Sequence, residues 1–169
     1  FGKMIYNYKK CDNIRSYFPN PKVKYEYVEK AAELINKAER PYILCGHGVL
    51  LSCAEKQLLA FAEKANIPVA STLLGLSAFP PEHELYAGYL GMHGNYGPNI
   101  LTNECDVLIA IGMRFDDRVT GNVSKYAKQA KVIHLEIDKS EINKIIQADV
   151  ALIGDAKESL EKLLPLVNS

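Results

Sequence analysis

Apolar residues along this chain follow two rhythms. Over residues 25–39, YEYVEKAAELINKAE, the apolar positions Val28, Ala31, Ala32, Ile35 and Ala38 recur at steps of three and four, which predicts an amphipathic helix. Arg40-Pro41 ends it, because proline pushes the preceding residue out of helical geometry. The run YILC (42–45) is apolar throughout and reads as a short buried strand, broken by GHG (46–48). Ser52 and Glu55 have the spacing of a capping box, which predicts a helix with Leu58, Phe61, Ala62 and Ala65 on one face. IPVAS (67–71) is the next strand. Residues 72–97 are rich in glycine and proline without a period, and LYAGYLGMHG (85–94) holds one short extended segment. Pro98 suits the first turn of a helix running to about Glu104. DVLIAI (106–111), KVIHLEI (131–137) and ADVALI (148–153) complete the strands. Asp155 and Glu158 form a second capping box ahead of Leu160, Leu163 and Leu164, and Pro165 ends or kinks that helix.

Strands that are apolar on both faces, alternating with amphipathic helices, predict an α/β domain whose parallel sheet is covered on both sides. Residues 1–24 carry tyrosines, basic residues, Pro19 and Pro21 without a period, and read as a connector; residues 25–169 form the body. The chain has 169 residues, a one-domain length, and is 48% hydrophobic, enough for a sizeable core. Lys plus Arg and Asp plus Glu both number 20, so the net charge is zero. That balance excludes broad electrostatic binding of nucleic acid but leaves room for a local anion site. Cys11, Cys45, Cys53 and Cys105 are scattered, with no C-x-x-C and no histidine at metal-ligand spacing. They read as structural or free thiols in a reducing compartment, and a cytoplasmic location is expected. The longest apolar runs are strand-length, so no membrane span is expected. The N-terminus lacks a signal-peptide core and an initiator methionine, and a piece of a longer chain is the expectation.

In open parallel sheets, ligands bind beyond the carboxyl ends of the strands. This sequence puts unusual residues there repeatedly. Gly46-His47-Gly48 follows the first strand, and its glycines could let backbone N–H groups approach a pyrophosphate or could simply make a tight strand-to-helix turn. It is not a full G-x-G-x-x-G, since Leu51 holds the third glycine's place. Ser71-Thr72-Leu73 follows the second strand. Arg114 and Arg118 could meet phosphates or stack on a planar ring, or could pair locally with Asp116 and Asp117. Glu136 could accept from ribose hydroxyls or end its strand in solvent. Asp155 is an N-cap on spacing alone. His47 and His93 sit in glycine loops where a site is plausible; His83 reads as surface and His134 as a packed strand residue. No catalytic triad is suggested.

Three segments together carry a resemblance. GMHGN (91–95), GMRFDDRVTG (112–121) and VIHLEIDKSEI (132–142), in this order and separation, resemble the central domain of the acetolactate synthase (acetohydroxyacid synthase) family of thiamine-diphosphate enzymes. YILCGHGV, VASTLLGLSAFP and IGDAKESL fit the flanking pattern, so the resemblance covers roughly residue 25 to the end. It implies a three-layer Rossmann-like domain with a mainly parallel sheet of about six strands. It further implies that this domain binds FAD, which takes no redox part. Thiamine diphosphate and Mg²⁺ belong to the family's other two domains, one of which carries the catalytic glutamate. By matched position, Gly46, His47 and Gly48 occupy the flavin loop, where relatives usually have glycine in place of His47. Thr72 and Leu73 lie along the cofactor. Gly91, Met92 and His93 match the turn near the isoalloxazine. Gly112, Arg114, Asp116, Arg118 and Val119 match the flavin-contacting loop, with the aspartates expected to hold the arginines. Glu136 and Ile137 match the pair at the adenosine end, where Asp is frequent, and Asp155 and Ala156 the last adenine-side contact. Met92 and Arg118 also match the family's active-site channel and herbicide site. The implied partners are the N- and C-terminal domains of a longer chain, further copies of it, and a small regulatory subunit. The implied reaction is decarboxylation of pyruvate and its ligation to a second 2-oxo acid in branched-chain amino-acid biosynthesis, with this portion alone inactive. Two alternatives stay open: a structural or ADP-binding central domain of another thiamine-diphosphate enzyme, and a free-standing NAD-linked enzyme.

Overall fold

The computed structural model describes residues 2–10 and 19–169. Phe1 and residues 11–18 of the expected connector, and Cys11 with them, lie outside the described residues. Six strands form one sheet in the order β3-β2-β1-β4-β5-β6, all parallel. They are β1 (Pro41–Cys45), β2 (Val69–Ser71), β3 (Tyr86–Tyr89), β4 (Val107–Ile111), β5 (Lys131–Glu136) and β6 (Val150–Ile153). Parallel neighbours need crossover segments. These are α2 (His47–Leu51) with α3 (Glu55–Ala65), a 3-10 turn (Leu73–Gly75), α4 (Tyr96–Glu104), α5 (Asp117–Thr120) and a second 3-10 turn (Lys139–Glu141). Helices α1 (Tyr25–Lys37) and α6 (Ala156–Leu163) bracket the whole.

Strand alternation divides the core in two. Ile43, Cys45, Val69, Ile109, Ile111, Ile133, Leu135 and Leu152 face one layer, where they meet Val28 and Ile35 of α1, Leu58 and Phe61 of α3, and Leu160 and Leu163 of α6. Tyr42, Leu44, Ala70, Leu108, Ala110 and Val132 face the other, packed with Cys105, Met113, Phe115 and Tyr126. That second layer is thinner in helix, being built from α4 and the segment after β4. The outcome is the expected three-layer α/β architecture.

The amino edge of the sheet is fastened by acids. Asp106 accepts the N–H groups of Glu39 at 2.7 Å and Arg40 at 2.9 Å, tying the α1–β1 turn to the start of β4. Asp149 accepts the Val132 N–H at 2.9 Å and pairs with Lys131. These carboxylates serve register, which leaves the carboxyl edge as the place for chemistry.

Three expectations need correction. Ser52 does not open α3. A short helix, α2, intervenes after β1, and Ser52 closes it, donating from Oγ to the Val49 carbonyl; α3 follows Ala54, which provides no side-chain cap. Five residues are too few to show a helical period, so α2 was invisible. The second capping box is half formed. Asp155 caps α6 through the Glu158 N–H, but the Glu158 carboxylate turns to Lys162 and Lys22. His83, expected at the surface, is half-buried edge-on against Phe79, with the Leu85 N–H on its Nδ1.

Tyr126 is 7% exposed, and its hydroxyl has no partner among the described residues. Burial pushes that phenol well above its usual pKa. An unsatisfied buried hydroxyl costs on the order of 1 kcal/mol or more, and its removal leaves shape almost intact. Tyr126→Phe is therefore expected to raise the melting temperature by about 2–4 °C in differential scanning calorimetry; a decrease would mean that the hydroxyl has a partner in solution.

Candidate functional site at the carboxyl edge of the sheet

Strand order reverses at β1, whose neighbours are β2 and β4. Such a switch point is where open parallel sheets take ligands. Gly46, His47 and Gly48 leave β1 there, and Gly112, Met113 and Arg114 leave β4 beside them. Gly112 N–H donates to Leu135 O at 2.8 Å, and Gly154 N–H to Glu136 O at 3.1 Å, so the ends of β5 and β6 continue the same crest. On the other flank, Thr72 N–H donates to Cys45 O, and Leu90 N–H to Ser71 O. Arg114, Gly46 and Glu136 thus lie along one edge.

Of the two readings their spacing allows, the glycines serve the tight strand-to-helix turn. Gly46 N–H donates to Ile111 O at 2.9 Å, and Gly48 N–H to Gly112 O at 2.8 Å, so neither N–H is free for a phosphate. A Cβ on Gly46 would lie 2.4 Å from Gly112 O, and one on Gly48 would lie 2.6 Å from Gly112 Cα. Gly75 closes on the same spot, its Cβ position 2.4 Å from Cys45 O. The two loops at the switch point are pressed backbone to backbone, and only glycine permits that. His47 stands exposed above the contact. Thr72 is buried, with its Oγ accepting the Gly75 N–H, and Leu73 is 66% exposed.

The loop after β4 carries the charge. Asp116 caps α5, accepting the Val119 N–H at 3.2 Å, and Asp117 accepts the Arg118 N–H at 3.0 Å. Neither aspartate touches a guanidinium. This corrects the expectation that they hold the arginines, and it also removes the local ion-pair reading: acids at helix starts are taken by orphan N–H groups. Arg114 and Arg118 are exposed, and among the described residues neither guanidinium has a partner. The loop is steadied from below. His134 in β5 is fully buried, its Nε2 2.9 Å from Met113 O and its ring edge-on to Phe115. The carbonyl can only accept, so Nε2 carries the proton and Nδ1 is left without a partner. Burial depresses its pKa and keeps the ring neutral.

The loop then crosses toward β3. Arg118 O accepts the Met92 N–H at 2.8 Å, which joins the two segments 91–93 and 112–119. Met92 and His93 are exposed and Val119 half-buried. At the opposite end, one oxygen of Glu136 accepts the N–H groups of Ile137 at 2.9 Å and Asp138 at 3.1 Å, leaving its other oxygen for a ligand. Burial raises the Glu136 pKa and the two N–H bonds draw it back down. Ile137 is exposed, Asp155 caps α6 and Ala156 is buried behind it.

The edge therefore offers two cations unpaired among the described residues, a half-used carboxylate and apolar side chains at Leu73, Met92 and Ile137. That set fits an elongated anionic ligand with hydroxyls and flat rings, which is the chemistry of a dinucleotide. Among the described residues no three His, Cys, Asp or Glu side chains gather into a metal-binding group, and no helix is long and apolar enough to cross a membrane. Sequence reading missed Asn99, which holds the Gly91 turn; asparagine within a helix carries no signal of its tertiary partner.

The family described as "Thiamine pyrophosphate enzyme, central domain" matches residues 28–163. The probable acetolactate synthase large subunit of Methanocaldococcus jannaschii is 51% identical over 137 residues, 81% of this chain and 23% of that protein. The acetolactate synthase large subunit of Buchnera aphidicola subsp. Acyrthosiphon pisum is 42% identical over 98% of this chain and 29% of its own. Acetolactate synthase isozyme 3 large subunit of Escherichia coli is 37% identical over 99% of this chain and 29% of its own. The chain thus spans under a third of the length of these curated relatives. Among solved structures, a chain from Mycobacterium smegmatis described as thiamin diphosphate-dependent superposes with a TM-score of 0.72 over 92% of this chain and 30% of its own, at 24% identity. At that identity the likeness concerns the fold alone.

Proposed function

The chain belongs to the thiamine pyrophosphate enzyme central-domain family, and on that premise we propose that it is the middle domain of an acetolactate synthase large subunit and holds FAD along the carboxyl edge of its sheet. The single observation that carries the FAD reading is the pair of guanidiniums, Arg114 and Arg118, that have no partner among the described residues, on a loop anchored by His134 and capped by Asp116. A domain serving only as a spacer has no need of two exposed, unpaired cations beside its switch point. Arg114 and Arg118 would meet the pyrophosphate or the ring system, the free oxygen of Glu136 a ribose hydroxyl, and Leu73, Met92 and Ile137 the flat rings. FAD, when bound, supplies shape and rigidity rather than electrons.

In this reading thiamine diphosphate and Mg²⁺ sit in the N- and C-terminal domains of the longer chain. There pyruvate is decarboxylated and joined to a second 2-oxo acid, for branched-chain amino-acid biosynthesis in the cytoplasm. The assembly is a homo-oligomer with a small regulatory subunit. The present chain contributes the flavin platform and no catalytic residue. Mixed with FAD and freed of excess by gel filtration, it is expected to elute yellow. With thiamine diphosphate, Mg²⁺ and pyruvate it is expected to form no acetolactate in a colorimetric assay. A colourless eluate would remove the FAD assignment, and measurable turnover would remove the division of labour.

One observation favours a second reading. The N–H groups of Gly46 and Gly48 are spent within the protein, as suits a central domain that serves structure without a nucleotide in another thiamine-diphosphate enzyme. Calorimetric titration separates the two: saturable FAD binding supports the first, and binding of neither FAD nor ADP supports the second.

A further inference from the structure

The turn at residues 91–94 and helix α5 belong to different crossovers, yet they behave geometrically as one piece. Gly91 has φ +113°, and its Cβ position lies 2.8 Å from Arg118 O, so the backbones are in direct contact. Met92 N–H then donates to the same Arg118 carbonyl at 2.8 Å. What holds Gly91 itself is a single side chain. Asn99, on α4, accepts the Gly91 N–H on Oδ1 at 3.1 Å and donates from Nδ2 to Gly91 O at 3.1 Å. The second hydrogen of that amide reaches Asn95 O at 3.1 Å. Gly91 O also accepts the Gly94 N–H at 2.9 Å, so both of its lone pairs are filled. The Asn99 amide thereby imitates a neighbouring strand, extending the ladder by one peptide beyond the end of β3.

We propose that Asn99 is a positioning residue that locks Met92 and Arg118 into one unit at the mouth of the candidate site. The unit flanks a depression of about 300 Å³ lined by Gly91, Met92, Asn99, Arg118 and Tyr126, among others. Met92 is 68% exposed and the Arg118 guanidinium has no partner among the described residues, so no side-chain contact fixes where these two groups begin. Asn99 sets the backbone from which both project, without reaching the crest itself. In its absence Gly91, which is free to adopt many conformations, would let the turn drift and draw the Arg118 carbonyl with it. Asparagine fits because the bidentate contact needs an acceptor and a donor on one planar group, and aspartate would set a second oxygen against Gly91 O.

The proposal rests on the FAD reading for its functional readout, and its test is built to separate the two. Asn99→Leu and Asn99→Asp are compared with the unaltered chain by amide hydrogen exchange at Gly91 and Met92, by FAD titration, and by the visible spectrum of the bound flavin. Exchange at both amides is expected to quicken at least about tenfold in Asn99→Leu and less in Asn99→Asp, which keeps the acceptor for Gly91 N–H. FAD affinity is expected to fall about tenfold, with a changed flavin band shape, at temperatures where the variants remain folded by circular dichroism. A side chain that merely supports the fold would lower the melting temperature and leave exchange at Met92, affinity and spectrum unmoved; that outcome overturns the proposal. Should the unaltered chain bind no FAD, the FAD reading fails and the exchange data alone decide: faster exchange at both amides sustains the lock, and unchanged exchange removes it. If Asn99→Leu does not fold, Asn99→Asp decides under the same criteria.

Discussion

Gly112→Ala is expected to lower the melting temperature by roughly 10 °C. Two costs add. Gly112 has φ +58°, a left-handed conformation that costs an L-residue about 1–2 kcal/mol. Its Cβ would also stand 2.7 Å from Gly48 Cα and 2.9 Å from Val49 N. Both neighbours are backbone, and Gly48 is pinned by its own hydrogen bond to Gly112 O. Relieving such overpacking costs about 1–3 kcal/mol. A total near 3 kcal/mol, at about 2–4 °C per kcal/mol for a chain of this size, gives the stated shift. Gly2→Ala is the control. Among the described residues nothing lies within 4 Å of its Cβ position and its φ is ordinary, so no loss is expected. Scanning calorimetry on the pair decides the matter. A Gly112→Ala loss as small as that of the control would show that the two loops are not pressed together.

The second large effect concerns the ligand and leaves the fold alone. The double variant Arg114→Ala/Arg118→Ala is expected to weaken FAD binding by at least about 100-fold. A hydrogen bond to a charged group contributes about 1.5–3 kcal/mol, and two of them span two to four decades of affinity. Both side chains are exposed and, among the described residues, without partners, so the melting temperature without ligand should stay within about 2 °C of the original. That dissociation of effects is the signature to look for. Added salt should weaken the original chain more than the double variant, because screened charges are what the variant lacks. Binding retained within about threefold would mean that neither arginine holds the ligand.

The fold was legible because its strands advertise themselves. Leu108, Ile109, Ala110 and Ile111 are all buried in β4, and an unbroken apolar run of that length has few other destinations. The short elements escaped. α2 and α5 hold five and four residues, below the span over which a helical rhythm can be counted. The site was legible as an address, since residues following strands gather at one edge whatever their partners. Partnership was not. Gly46 looks the same in sequence whether its N–H points at a phosphate or at Ile111 O. Asp116 looks the same whether it meets Arg114 or caps α5. The distance of Asn99 from Gly91 is set by how α4 lies against β3, and their separation along the chain does not contain that information.

The strand order has a consequence for how the molecule is made. Every pairing is parallel, so no two strands can zip together through a tight hairpin. The central pairing joins Ile43 of β1 to Ile109 of β4, with two other strands and three whole helices intervening in the chain. During synthesis more than half of the domain must leave the ribosome before the middle of its sheet can close. Until then one flank of β1 is an open row of unpaired peptide groups. The period of greatest exposure to misassembly therefore falls during synthesis, before the second half of the domain has emerged.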